Sequence, residues 1–103
     1  MFLLRQEIGD VLRDFRQQQG QTLRQVASKA SVALGYLSEV ERGQKEVSSE
    51  ILASVTDALG VPMSAVMRRV GDRLAVLEGL ESPFPDVVPD ELVAEVEPEL
   101  SLR

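Results

Sequence analysis

The chain has 103 residues, 44% of them hydrophobic, a formal net charge of −6, and neither cysteine nor histidine. That length allows one domain and a tail. The missing residue types exclude disulfides, thiol chemistry, zinc sites of the usual Cys/His kind and the commonest general base.

The opening "MFLLRQEIGDVL" is apolar for only four residues, too few for a signal-peptide core. No window approaches the roughly 18 apolar residues of a membrane span, so a cytoplasmic protein without membrane contact is expected. Ile8, Val11, Leu12 and Phe15 follow 3-1-3 spacing on one face of a first helix, which Gly20 stops. Thr22 is the expected N-cap of a second helix, with Gln25 three residues on completing a capping box. That helix carries Leu23, Val26, Ala27 and Ala30. Ser31, Val32 and Ala33 are too few for anything but a turn. A third helix runs from Leu34 to Arg42 and ends at Gly43. Ser48 or Ser49 caps a fourth, with Ile51, Leu52, Val55 and Leu59 inward and Gly60 as its stop. Pro62 suits the first turn of a fifth. No segment alternates like a strand, so the fold class is all-α.

The fifth helix carries Met63, Met67, Val70, Leu74 and Leu77 at 4-3-4-3 spacing. Such a seam packs either on its own domain or between two chains. Val66 and Leu80 leave further apolar surface on neighbouring faces, and this favours a dimer interface on those five residues. Composition changes after Leu80. Residues 1–80 read as the folded domain and 81–103 as an acidic tail holding Pro83, Pro85, Pro89 and Pro98, flexible by composition. Within it, "DELVAEV" can form a short helical turn against a partner or the domain. The charge follows this division. Residues 1–60 hold 7 basic and 8 acidic residues, net −1, whereas 61–103 hold 4 and 9, net −5. An acidic total therefore does not exclude nucleic acid as a partner, because the local face decides.

The segment from Leu23 to Val40 carries the functional signal. Two short helices joined by a three-residue turn cross steeply, at roughly 90–120°. Ala27 is small enough for the close approach. Leu37 and Val40, three apart, anchor the second of these helices and leave Leu34, Gly35, Ser38 and Glu39 on its other face. In a helix-turn-helix that face enters the major groove. The stretch "TLRQVASKASVALGYLSEVERGQKEVSSEILASVTDALGV" resembles the helix-turn-helix domain of the phage-repressor (Cro/C1, Xre) family, over roughly Glu7 to Val66. Its marks are "LSEVERG" and "ILASVTDALGV". More narrowly, "LGYLSEVERGQKE", the following "SSE" and "ALGVPMS" are similar to the actinobacterial regulators of Clp protease genes.

The resemblance implies a lambda-repressor-like five-helix domain with no cofactor and no metal. It further implies a homodimeric activator of clp and other proteolysis and stress genes, bound to double-stranded DNA at a pseudo-palindromic operator. RNA polymerase and Clp protease, the latter as degrader, are implied partners. It places Leu34, Gly35 and Glu39 at base-reading positions with Ser38 beside them. Leu34 suits thymine methyls, Gly35 permits close approach, and Glu39 can accept from cytosine N4. Glu39 also reads as a plain surface carboxylate. Phosphate contacts are expected from Thr22, Arg24, Gln25, Arg42, Gln44 and Lys45. Tyr36 fits either a phosphate contact or the edge of the core. The family pairs an Arg late in the first helix with the Glu of "ERG", which implies a structural pair of Arg16 and Glu41.

Two positions depart from the family pattern. Ser31 stands where glycine is common, and Ala33 where Ser or Thr usually caps the recognition helix. Losing such a cap costs about 0.5–2 kcal/mol. No catalytic constellation or nucleotide loop is present, so an enzyme is not expected. The acidic tail also suits an antitoxin-like autorepressor that binds a basic partner protein. A sequence-indifferent nucleic-acid chaperone is a third reading.

Overall fold

The computed structural model describes residues 3–81, and the expected tail, "DELVAEV" included, lies outside them apart from Glu81. Among the described residues five α-helices form: α1 (Leu4–Gln18), α2 (Leu23–Ala30), α3 (Leu34–Glu41), α4 (Ser49–Leu59) and α5 (Met63–Glu81). α5 extends through Glu81, one residue past the expected boundary.

Local chemistry accounts for most of the boundaries. Thr22 Oγ1 accepts from the Gln25 amide at 3.1 Å, and Gln25 Oε1 accepts from the Thr22 amide at 2.8 Å. This is the reciprocal capping box. Of the two candidate serines, Ser48 caps α4, its hydroxyl accepting from the Ile51 amide. Gly20, Gly43 and Gly60 follow α1, α3 and α4 with left-handed backbone. The third helix stops one residue earlier than expected, with Arg42 as its C-cap. α4 and α5 meet at 105° across the Gly60–Pro62 turn.

Ser31 has φ 58°, left-handed and alone in this among the described non-glycine residues. It ends α2 with the Val32 amide donating to the Ala27 carbonyl, the closing bond of a Schellman turn. A side chain in that conformation costs about 1 kcal/mol. Ser31→Gly is therefore expected to raise the melting temperature by about 4–8 °C, read by thermal denaturation.

The core is aliphatic, as four aromatics in the whole chain require. Val11, Leu12, Val26, Ala27, Leu37, Val40, Val55, Leu59, Val66 and Val70 are each at most 3% exposed. α1 packs on α3, α4 and α5, while α2 packs on α3 and α4. α5 runs antiparallel to α1, since Arg73 bonds Glu7 and Asp10 while Arg69 covers the Phe15 ring at 4.5 Å. Two expectations for α5 need correction. Val66 was expected to leave apolar surface uncovered, and Val70 to join a seam between chains. At 0% and 3% exposure both are held in the chain's own core, with no surface left for a second copy. The heptad spacing there records packing on α1 and α4.

Candidate nucleic-acid interface

α2, the Ser31–Ala33 turn and α3 make the helix-turn-helix. Leu37 and Val40 point inward at 1% exposure each and hold α3 on the core. Glu41 is buried beside them at 8%. Arg16 of α1 meets it with two charge-assisted bonds, Nε to Oε2 at 2.7 Å and Nη2 to Oε1 at 2.9 Å. Its Nη1 also donates to the Gln21 carbonyl at 3.0 Å, so one guanidinium ties α1, α3 and the loop before α2. The bonds to Glu41 raise the Arg16 pKa further above the ordinary arginine range, against the opposing effect of burial.

Gly35 is exposed on the opposite face, and a side-chain carbon added there would meet nothing within 4 Å. Leu34, Ser38 and Glu39 are half-buried, and Leu34 places part of its side chain against the core. Ala33 supplies no side-chain cap to α3, and no side-chain bond from Ser31 replaces it. The first amides of α3 are thus left for an outside acceptor.

The expected phosphate residues divide. Arg24 and Lys45 are exposed and form no ion pair among the described residues. In the capping box, Thr22 and Gln25 use only their oxygens, so the hydroxyl proton and the side-chain amide hydrogens are still free to donate. Arg42 is engaged instead with Ser38 and Gln44. Tyr36 requires correction as a phosphate residue. Its ring packs against the core, and its hydroxyl donates its one proton to the Glu46 carbonyl at 3.0 Å. It fixes the loop after α3.

Several supporting contacts carry no sequence signal of their own. A side chain at Gly9 would collide with the Val40 carbonyl oxygen and lie 2.7 Å from that of Glu41, so α1 and the end of α3 touch backbone to backbone. Gly43 has φ +73°, and an added carbon would meet Gln6. Arg5 donates to the Gly43 carbonyl at 3.0 Å and pairs with Glu46 at 3.2 Å. These contacts join residues 31 to 41 positions apart, beyond any local pattern. On α5, Met67 is 40% exposed and Val76 63%, whereas Met63 and Leu74 are half-buried against the core.

A family model described as a helix-turn-helix domain matches residues 7–70. Over 83 residues the chain is 51% identical to the transcriptional regulator ClgR of Mycobacterium tuberculosis, covering 81% of this chain and 74% of that protein. It matches a crystal structure of the clp gene regulator ClgR from Corynebacterium glutamicum with a TM-score of 0.73 and 48% identity, over 78% of this chain and 85% of that one. A restriction-modification controller protein bound to a 25 base pair operator site matches with a TM-score of 0.67, over 72% and 97% of the two chains. At 19% identity, that likeness is one of fold.

Proposed function

The chain belongs to the helix-turn-helix transcriptional regulators of the Cro/C1 (Xre) family, of the ClgR type, and on that premise we propose that it binds a pseudo-palindromic operator as a homodimer and activates genes of clp proteolysis and stress. The observation that carries the reading is α3 itself. Its large buried side chains are turned inward, its outward face has Gly35 in open space, and exposed cations stand at Arg24, Arg42 and Lys45. In this reading Leu34, Gly35, Ser38 and Glu39 meet base edges. Arg24 and Lys45, with Thr22, Gln25 and Gln44, take the phosphates and fix the register. RNA polymerase at the promoter and Clp protease as degrader are the partners this activity would engage, in the cytoplasm.

Selection of bound sequences from random duplex DNA tests the reading. An inverted repeat with half-sites one turn apart, about 34 Å, supports it. No enrichment overturns it. Gly35 gives a sharper result, because its two roles pull in opposite directions. Gly35→Ala is expected to stabilise the free domain by about 1 kcal/mol through helix propensity. It is expected to weaken operator binding, since the added carbon lies where the duplex comes close. A variant that melts higher and binds as well as the parent would remove Gly35 from the interface.

With Val70 in the core, the interface between copies falls to Met63, Met67, Leu74 and Leu77, with Val76 beside them. Met67 is the clean probe, being exposed in the single chain. Met67→Glu is expected to dissociate the dimer in analytical ultracentrifugation while the chain still folds. Unchanged association would move the interface elsewhere. Leu74 is a poorer probe because it also packs on the core.

A further inference from the structure

Arg42 stands at the C-terminal cap of α3, yet its side chain does not run off the helix end. Nη1 donates to Ser38 Oγ at 2.9 Å and Nη2 to Gln44 Oε1 at 3.3 Å. The first bond folds the guanidinium back by one turn, because residues four apart share a row on a helix. Leu34, Ser38 and Arg42 therefore form one row along α3, beginning at its first residue. Each terminal guanidinium nitrogen carries two hydrogens and uses one, so one N–H on each is left for an outside acceptor. No carboxylate among the described residues pairs with this side chain.

The other outward residues of α3 define what is missing. Leu34 offers methyl groups, Gly35 no side chain, and Glu39 an acceptor. None presents two donors side by side. A guanine edge in the major groove displays two acceptors, N7 and O6, and is matched by a fixed pair of donors. Only the Arg42 fork supplies that pair, braced on one side by Ser38 and on the other by Gln44. Bracing from both sides lowers the ordering cost that an unpositioned arginine would meet on binding.

We infer that Arg42 reads a guanine in each half-site, with Ser38 and Gln44 as positioning residues, instead of anchoring a phosphate. The inference rests on the operator binding proposed above. Arg42→Lys tests it, since lysine keeps the charge and loses the planar fork. Sequence selection with this variant is expected to lose the preference at one G·C pair per half-site and keep the others. Its affinity for the parent's operator is expected to fall about 5- to 100-fold, and for unrelated duplex by less than about threefold at the same salt. Ser38→Ala is expected to weaken the preference at that same pair, to a smaller extent. Both variants are expected to melt with the parent, which checks that they fold.

An unaltered motif, with equal loss on operator and unrelated duplex, would make Arg42 a phosphate anchor and overturn the inference while leaving operator binding intact. Failure of the parent protein to enrich any motif would overturn the operator binding, and the guanine contact with it.

Discussion

Glu41→Ala is expected to lower stability by about 3 kcal/mol, the range for removing one partner of a buried ion pair. Arg16 is the reason. Its side chain is only 15% exposed, and it would keep the bond to the Gln21 carbonyl but lose both bonds to the carboxylate. An ion pair removed from water gives back its desolvation cost only while both charges are present. For a domain of this size the melting temperature falls by about 12–24 °C. Arg16→Ala is expected to cost a similar amount, and the double variant much less than the two together, because the second change removes the charge that the first one stranded. The effect is also expected to be flat between about pH 6 and 9. Arg16 has a raised pKa in the folded state, so its stabilisation is fully present below the ordinary arginine value and is lost only as pH rises through the folded one. That window lies in strong alkali. Operator affinity should fall with stability, since the pair joins α1 to the end of the recognition helix. If thermal melting and DNA binding were both unchanged, the pair would have no structural role.

Gly9→Ala is expected to be the other severe change, costing about 2–3 kcal/mol. In an open helix this substitution stabilises by about 1 kcal/mol. Here the new carbon would collide with the Val40 carbonyl oxygen and approach that of Glu41, both backbone atoms at the end of α3. Neither can turn away as a side chain can, so α1 must lift from α3. Gly71 provides the control within the same chain, because a carbon added there meets nothing within 4 Å. Gly71→Ala is expected to raise the melting temperature and Gly9→Ala to lower it. Equal shifts of the same sign would show that the close approach of α1 and α3 is not what Gly9 serves. The two changes with the largest expected effects thus both fall at one junction, between α1 and the last turn of α3. There a buried ion pair and a backbone contact set the angle of the recognition helix.

The residues differ in how openly the chain displays their roles. Thr22 and Gln25, Ser48, and the glycines after α1, α3 and α4 announce themselves, because a cap is completed within three or four residues. Leu37 and Val40 likewise mark the inward face of α3 by their spacing alone, and the outward face follows as the remainder. Arg16 and Glu41 were legible only through resemblance to a family, since 25 residues separate them and neither has a local partner that marks it.

By itself, then, the sequence determined the five helices, most of their ends to within a residue, the helix-turn-helix and its two faces, all of which rest on contacts within a turn or two. The tertiary structure decided what each leftover side chain touches. It placed Val66 and Val70 in the chain's own core, although a heptad reads the same whichever surface covers it. It tied the Tyr36 hydroxyl to Glu46, folded Arg42 back onto Ser38, and set Arg73 of α5 against Glu7 and Asp10 of α1. Gly9 is the extreme case, a helix glycine whose necessity comes from backbone more than thirty positions away. Capping and periodicity are short-range and leave a mark in neighbouring residues. Burial and close approach depend on which segments meet, and that is fixed only once the helices have packed.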